Sequence, residues 1–545
     1  MHVAGHNDST PISNLEFAGD YNLPYLHLIN HMGEGKDPNT HGENIVHMMI
    51  ELNIYENIFN SSVSGSMVIV DTQNLISKLP IQGTERLSFK IDTKLESDTS
   101  TSETIMDFTE SNGTAMHVFS ITDRNQPDGK DNVMAYTIHF ASREFVRNLR
   151  TRVSESFEGR MDQMVNKIFT DPEYLDSQKK LYYQETRNQD KIVVPNLNPF
   201  EAIGMISKRA LPNQARSNGV GYLFYETTKA FHFRSWESLC IDKNGDERHA
   251  VQQFRYVQGN SDESTRTITQ KMDRDNYHSG QRKQDRITET YKNVRNYKFI
   301  NNFHDVAMNT ALGTYGHRVI THNIYNKSYK VDDYHYHNRW NDTQHLEDFP
   351  SIVDSPVDYD MIEGTPYQKG VSDYPESRVS LQSTAPYINS DKNTGSFGTP
   401  VEDDGVLEGS RLAQMNKIHQ GTQLELTING QARLQAGDVI DFDMQSVENR
   451  ENSGGALDPQ YSGRYIITAI RHRIAQDKFL QVLTCTKDSS KSGFGYSGNK
   501  SFTEISGGIA KKTPMTIDIK DTDEPAKEST PNYKTGDWYP GGTYS

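Results

Sequence analysis

Five histidines between residues 317 and 345 are the chain's best candidates for metal chemistry. His335 and His337 stand two residues apart, a spacing that puts both imidazoles on one side of a strand, and His345 follows. With His317 and His322 nearby they could form a zinc site, which needs spaced nitrogen, sulfur or carboxylate ligands. No Cys-x2-Cys or His-Glu-x2-His pattern accompanies them. The sequence therefore favours surface or interface histidines, and whether His335 and His337 bind a metal stays open.

The spacing of nucleophiles and carboxylates gives little support to catalysis. Cys240 and Cys485 are the two cysteines, too few for a disulfide framework, so both are expected to be reduced thiols. Cys240 follows a predicted hairpin and has no local base to activate it. Asp107 and Glu110 could be nominated as the carboxylate pair of a glycosidase, but nothing local desolvates either one. No Gly-x-Ser-x-Gly nucleophile elbow occurs.

Loops that bind phosphates or cations are equally weak in this sequence. No Gly-x4-Gly-Lys-Ser/Thr run occurs, and Gly219-Val220-Gly221 leads into a predicted strand where a phosphate loop needs a helix. The acidic run Glu402-Asp403-Asp404 lacks the alternating oxygen ligands of an EF-hand. We therefore predict no catalytic, cofactor-binding or metal-binding residue, no cofactor and no enzymatic activity.

The charge balance excludes a generic binder of nucleic acid or anionic membranes. The chain has 545 residues, with 57 Lys and Arg against 73 Asp and Glu, for a net charge of -16. A basic stretch from Arg282 to Phe299 is predicted to be a solvated helix face. Hydrophobic residues make up only 34% while aromatics reach 10%, which predicts a folded chain with much surface or interface. No secretory signal and no apolar run of about 18 residues is present, so neither export nor membrane insertion is expected.

Alternating patterns predict two β regions in the chain. After an N-terminal arm at 1–40, residues 41–141 alternate with period two, as at Ile50, Leu52 and Ile54, which is typical of half-buried antiparallel strands. Residues 217–340 and 411–488 show a similar pattern and are predicted to form a second domain in two parts. A hairpin is predicted at 221–236, and Asn429-Gly430 is predicted to turn the strand 423–428 into another hairpin. Three further strands are expected at 439–444, 464–470 and 479–485.

A helical domain is predicted between them, at 142–216. Apolar residues recur every three or four positions from Phe145 to Ile168, which predicts one amphipathic helix with Ser142 as its N-cap. A second helix is predicted to begin at Asn198. Pro199 suits its first position and Glu201 stands where a capping box places a carboxylate.

Two segments lack a persistent period. Residues 341–410 hold six of the 20 prolines, with 14 acidic against three basic residues, and are predicted to be a loop insertion that straps onto a neighbouring subunit or protein. Residues 489–545 are predicted to be an extended C-terminal tail. The expected fold class is α+β: two antiparallel β barrel or sandwich domains, a helical domain between them, a long loop insertion and the tail.

An ordered set of segments resembles the baseplate central hub proteins of contractile-tailed, T-even-like bacteriophages. The segments follow the order of that family's first β domain, its two helices, a hairpin and the closing strands. They are 51–59, 65–71, 75–79, 83–87, 142–148, 152–157, 198–203, 221–226, 231–235, 434–440 and 462–472. Residues 341–410 and 489–545 have no clear counterpart in the shorter hubs.

The resemblance implies a structural function in the virion. Hubs of this family are homotrimers in which each subunit carries two tube-like β domains, so the trimer has pseudo-sixfold symmetry. It joins a threefold cell-puncturing spike to a sixfold tail tube and lets DNA pass during genome ejection. The implied partners are the spike protein, a tube initiator or tube protein, baseplate wedge proteins and, as a further candidate, the tape measure protein.

The resemblance also implies a location, the tail baseplate of a virion assembled in the host cytoplasm, and no sequence-specific nucleic-acid binding. Two other functions stay open at the level of sequence. One is a tail-associated peptidoglycan hydrolase, suggested by the abundant carboxylates and tyrosines. The other is a receptor-binding tail module, suggested by the Tyr-, His- and Asp-rich loop region.

Overall fold

A computed structural model describes most of the chain between residues 18 and 491. The described residues are 18–29, 43–73, 75, 81–93, 105–126, 133–187, 189–213, 221–242, 248–256, 290–301, 305–323, 327–352, 356–362, 365–384, 404–444, 457–458, 460–475, 478–491 and 519–521. Most of their regular structure is β-sheet, largely antiparallel, accompanied by several α-helices. No helix in these ranges is long and apolar enough to cross a membrane.

The first β module contains eight strands between residues 26 and 141. They are β1 Leu26–Ile29, β2 Glu43–Asn44, β3 Met49–Asn57, β4 Ser64–Asp71, β5 Arg86–Asp92, β6 Ile105–Phe108, β7 Met116–Asn125 and β8 Met134–Ala141. Alternate side chains of β4 and β8 are buried, as the period-two pattern predicts, and Met67, Ile138 and Phe140 lie in one core. Strand β1 falls within the range predicted as an arm, yet it is buried and pairs with β5.

The following region alternates short helices with short strands. It contains α1 Arg143–Arg150, β9 Ser156–Arg160, α2 Met161–Thr170, β10 Leu181–Gln184, β11 Gln189–Val193 and α3 Pro199–Ser207. The prediction of α3 is confirmed: Asn198 is its N-cap, Pro199 its first residue, and the Asn198 N–H donates to the Glu201 carboxylate at 3.1 Å.

The prediction of one continuous helix from Ser142 to Ile168 is wrong between α1 and α2, although Ser142 is the N-cap of α1 as predicted. Val153 pairs with Leu197, and Phe157 lies on β9, which pairs with β11. Gly159 has φ of +136°, a conformation outside the helical region that favours glycine. Both apolar residues are buried, as the helical pattern predicts, but they pack into their apolar cluster from extended segments.

The chain then forms a hairpin, two further strands and a three-stranded sheet with additional short strands. These elements are β12 Tyr222–Glu226, β13 Phe231–Ser235, α4 Glu237–Cys240, β14 Gln252–Arg255, β15 Asn296–Asn301, α5 Val306–Ala311, β16 Gly316–Asn323, β17 Ser328–His335, β18 Phe349–Pro350, β19 Pro356–Ile362, β20 Thr365–Gly370 and β21 Val379–Thr384. The predicted hairpin is confirmed as the antiparallel pair β12–β13. The predicted helix at 282–299 is wrong for residues 296–299, which lie on strand β15; residues 290–292 are helical, and 282–289 lie outside the described residues.

The prediction that 341–410 is a loop without regular structure is also wrong for its described part. Strand β21 pairs with β16, and β19 pairs with β20. The partner of β21 lies about 60 residues away in sequence, so no local hairpin signal marks this pairing.

The last elements close the second β module. They are α6 Asp404–Gln420, β22 Thr422–Asn429, β23 Val439–Asp443, β24 Gly463–Ala475, β25 Phe479–Lys487, β26 Ser489–Ser490 and β27 Ile519–Asp521. The predicted hairpin at Asn429-Gly430 does not form, because β22 pairs with β15 and β25 while β23 pairs with β14 and β24. In the tail, β26 pairs with β18 and β27 with β10.

Both β modules belong to one 14-stranded sheet. Its main path runs β15-β22-β25-β24-β3-β4-β8-β7-β5-β1-β2. The step from β24 to β3 is where the second module meets the first, and it positions the site described next.

Candidate functional site

The junction between the two β modules is a single long strand with three partners. One edge of β24 pairs with β25. The other edge pairs with β23 through residues 463–466 and with β3 through residues 469–475. The antiparallel register with β3 runs from Ala469 opposite Asn57 to Ala475 opposite Glu51. The modules are therefore joined edge to edge by backbone hydrogen bonds inside one chain.

A buried carboxylate and a buried imidazole meet across this junction. Glu56 of β3 and His472 of β24 have fully buried side chains, with Oε1 and Nε2 3.3 Å apart. Glu56 also accepts hydrogen bonds from the N–H groups of Thr228 (3.1 Å) and Ala436 (2.8 Å). The other ring nitrogen of His472 lies 3.0 Å from the Gln481 amide. One carboxylate thus ties four separate segments of the chain together.

Burial and hydrogen bonding act in opposite directions on this carboxyl group. Burial raises the pKa of Glu56, but the hydrogen bond and charge of His472 and the Ala436 N–H outweigh it and hold the pKa below its usual range. A buried carboxylate is costly unless it is paired and hydrogen-bonded, and Glu56 is both. The pair is therefore a buried and hydrogen-bonded polar contact between β3 and β24.

The solvent side of the same junction carries a ladder of ion pairs. Arg471 donates to Asn53 (2.9 Å) and pairs with Glu51 (3.1 Å), and Arg473 pairs with Glu51 at 2.8 Å. Both arginines are nearly half exposed, so each pair contributes at most about 1 kcal/mol. These ion pairs connect β24 to β3 in the same register as the buried pair of Glu56 and His472.

A second buried cluster joins the helical region to the first β module and to the hairpin β12–β13. The Lys179 ammonium lies 3.0 Å from Glu144 of α1 and 2.5 Å from Glu226 of β12. Glu226 in turn accepts the N–H of Val63, just before β4, at 2.8 Å. Burial opposes the charge on Lys179, but the two carboxylates outweigh it and hold its pKa above the usual range.

A third buried cluster ties residues 340–347 to the closing strands. Asp488 lies 2.8 Å from the His345 ring and accepts the Leu346 N–H at 3.3 Å. The Trp340 indole stacks on the His345 ring with centroids 3.5 Å apart. Lys417 of α6 lies over the Tyr336 ring at 4.3 Å, and burial lowers the pKa of Lys417 to about 8. Part of the predicted insertion is therefore an integral part of the chain's own core.

The histidines considered in the sequence analysis contact different neighbouring side chains. His335 lies 3.0 Å from the Asp373 carboxylate, and His337 contacts the Ser372 hydroxyl at 2.7 Å. His317 stacks on Tyr334. Within the parts of the chain that the structure describes, no three His, Cys, Asp or Glu residues are placed to hold a metal ion.

The other candidates occupy structural positions. Cys240 and Cys485 are buried thiols that form no disulfide, and burial raises the pKa of Cys485 far above its usual range. Asp107 accepts hydrogen bonds from Thr109 and Asn112, and Glu110 pairs with Arg86 at 2.5 Å, so the two carboxylates bind different neighbours. Asp404 begins α6, whereas Gly219, Glu402 and Asp403 lie outside the described residues.

Sequence reasoning missed the buried junction pair, although a signal for it existed. Glu56 shares the inward parity of the buried residues Leu52, Ile54 and Ile58, and His472 that of Ile470 and Ile474. A charged or titratable residue at an inward strand position needs a partner, which is the feature that could have singled out both.

The chain resembles several solved tail proteins. No protein-family model and no curated protein matches it. It is similar to the tail protein from Neisseria meningitidis MC58 (9% identity, 86% of this chain and 97% of that one, TM-score 0.42). It is also similar to the 43 kDa tail protein of prophage MuSo2 from Shewanella oneidensis (8% identity, 86% and 100%, TM-score 0.43).

A type VI secretion system component is also among the similar structures. This Escherichia coli protein, described as structurally similar to the T4 bacteriophage tail proteins gp27 and gp5, has 9% identity to the chain. The match covers 83% of this chain and 76% of that one, with a TM-score of 0.34.

Proposed function

We propose that this protein is a structural hub of a contractile phage tail. In this proposal three copies form a ring with pseudo-sixfold symmetry, which joins a threefold spike to a sixfold tail tube in the baseplate and lets DNA pass. The chain acts by assembly and carries no catalytic site of its own.

The observation that carries the proposal is the β24–β3 junction. It joins two β modules edge to edge. In the proposed ring, one chain would therefore supply two adjacent positions. Among the described strands, the main path of the sheet ends at β15 in one module and at β2 in the other. Exposed sheet ends invite pairing with another chain, and a head-to-tail contact closes into a ring when its rotation allows. Three chains with two modules each then close a ring of six.

The sequence resemblance supports the same function. Two of its segments, 51–59 and 462–472, lie largely on β3 and β24, the two strands that form the junction. The proposed partners are the spike protein, the tube or tube-initiator protein, wedge proteins and the tape measure protein, all in the baseplate of a virion assembled in the host cytoplasm.

Mass measurement of the purified full-length chain tests this proposal. Three copies of the 62.0 kDa chain have a mass of about 186 kDa, and we expect that species alone or bound to a spike protein. A monomer that joins neither spike nor tube at micromolar concentration would contradict the proposal. Release of soluble fragments from peptidoglycan by the pure chain would favour a hydrolase instead.

A further inference from the structure

A short segment of the C-terminal tail adds a strand to a sheet formed by a distant part of the chain. Among the described strands this sheet has the order β12–β13–β10–β27, so β27 lies at its edge. Residues 491–518 separate β27 from the preceding tail strand, β26. The antiparallel register pairs three residues of β10 with three of β27: Tyr182 with Asp521, Tyr183 with Lys520 and Gln184 with Ile519.

The acceptor strand β10 is held in place by contacts that do not involve the tail. Its other edge pairs in parallel with β13. Leu181 lies in one apolar cluster with Phe231 and Phe233 of β13. At the other end of β10, the Gln184 side-chain oxygen accepts the Ser235 N–H at 2.9 Å. Both ends of β10 are therefore anchored to the strand on the side away from β27.

A row of stacked rings crosses the same sheet and ends on β10. The His232 ring of β13 stacks on Tyr225 of β12 and on Tyr182 of β10, with centroid distances of 5.0 and 5.5 Å. His232 and Tyr225 are buried. Ring pairs on neighbouring strands stabilise a sheet. We therefore expect β10 to keep its place, with one edge uncovered, when β27 is absent.

The tail sequence around β27 has the pattern of a strand-forming peptide. Apolar and polar residues alternate in the run Met515-Thr516-Ile517-Asp518-Ile519-Lys520, a period of two that is typical of strands. Pro514 precedes this run and Pro525 follows it, and proline cannot donate to a strand ladder. Peptides that add to a sheet edge bind through main-chain hydrogen bonds, and their alternate side chains give specificity.

We propose that the outer edge of β10 is a docking site for an extended peptide, and that residues 519–521 occupy it as a detachable internal ligand. The ligand class is a strand that alternates apolar and polar residues and binds by its main chain. Because an uncovered sheet edge pairs with strands of other chains, the tail also protects this edge. The inference goes beyond the proposed hub function and does not depend on it, since it concerns one sheet within one chain.

Hydrogen exchange of the full-length chain tests whether β27 can leave while β10 stays in place. The double variant Ile519→Pro with Lys520→Pro removes two consecutive N–H groups, and one of any two consecutive N–H groups in a strand points to the partner strand. Lys527→Pro with Glu528→Pro is the matched control in the same tail. We expect the β10 amides that face β27 to exchange roughly tenfold faster in the first variant and at the native rate in the control.

The exchange of β12 and β13 distinguishes a detachable strand from an integral one. Both strands should keep their native protection in the variant, because their contacts with β10 do not involve the tail. Faster exchange throughout β10, β12 and β13 would show that β27 is an integral part of the sheet. Unchanged exchange of β10 would show that the tail does not cover its edge. Either result overturns the proposal.

A synthetic peptide measures binding at the site directly. A fluorescent peptide of residues 513–525 is titrated into the native full-length chain and into the Ile519→Pro, Lys520→Pro variant. We expect the peptide to bind the variant at least roughly tenfold more tightly, because the native tail competes for the edge within its own molecule. A peptide that carries the same two prolines should not bind. Failure of the native-sequence peptide to bind the variant, or equal binding of the two peptides, would overturn the proposal.

Discussion

Glu56 of β3 and His472 of β24 meet 3.3 Å apart at the point where two β modules become one sheet, and neither side chain is exposed. The pair is more than 400 residues apart in sequence. The pair holds β24 in register with β3. In the proposed ring, this pairing gives one chain two adjacent positions.

Replacing Glu56 should destabilise the fold far more than replacing its exposed neighbour. Glu56→Gln leaves His472 and two backbone N–H groups with a weaker, neutral acceptor, and should lower the free energy of unfolding by about 3 kcal/mol. Glu51→Gln, on the same strand and junction, should cost less than about 1 kcal/mol. Equilibrium urea unfolding at fixed protein concentration measures both, and equal effects would show that the buried pair has no special role.

The same carboxylate predicts how stability changes with acid. Because the folded-state pKa of Glu56 is lowered, its contribution is fully present above the unfolded value of about 4.3 and is lost as pH falls from there through the folded value. Unfolding curves between pH 6 and 3 should therefore show a steeper loss of stability in the native chain than in Glu56→Gln. Parallel losses would mean that Glu56 titrates normally in the folded state.

Replacing Lys179 should destabilise the fold, because its ammonium group neutralises two buried carboxylates. Lys179→Met leaves Glu144 and Glu226 buried without their shared cation, and should cost about 3–5 kcal/mol near neutral pH. Lys167→Met is the matched control, because Lys167 pairs with Glu155 at the surface and should cost less than about 1 kcal/mol. A cost for Lys179→Met as small as that of the control would contradict the assignment.

Alanine substitutions at two glycines distinguish the effect of backbone strain on stability from the effect of helix propensity. Gly159 has φ of +136°, so Gly159→Ala should cost roughly 1–3 kcal/mol. Gly204 lies inside α3 with open space around it, so Gly204→Ala should stabilise the protein by about 0.5–1 kcal/mol. Thermal unfolding of the two variants should shift in opposite directions. A gain in stability for Gly159→Ala would contradict the strained conformation of Gly159. It would favour the continuous helix that the sequence pattern predicts.

The elements that follow from local chemistry could be predicted from the sequence. The capping box at Asn198 and Glu201 and the hairpin of β12 and β13 depend on neighbouring residues, and both are present. Val153 and Phe157 fit a helical period equally well, yet both pair with segments distant in sequence. No local pattern predicts such pairing.

The junction illustrates the same limit on a larger scale. Similar strand texture predicts two β modules, but the pairing of β3 with β24 joins segments from opposite ends of the chain. What the sequence does hold is Glu56 at an inward position of an apolar strand, which signals a partner without naming it.

Electron images of the purified chain, averaged along its axis, test the central claim most directly. The proposal predicts a closed ring of six similar lobes with threefold symmetry, two lobes for each chain, around an open channel. A monomer, a twofold dimer or an open filament would contradict it, because in each case the two joined modules would not be adjacent positions in a ring.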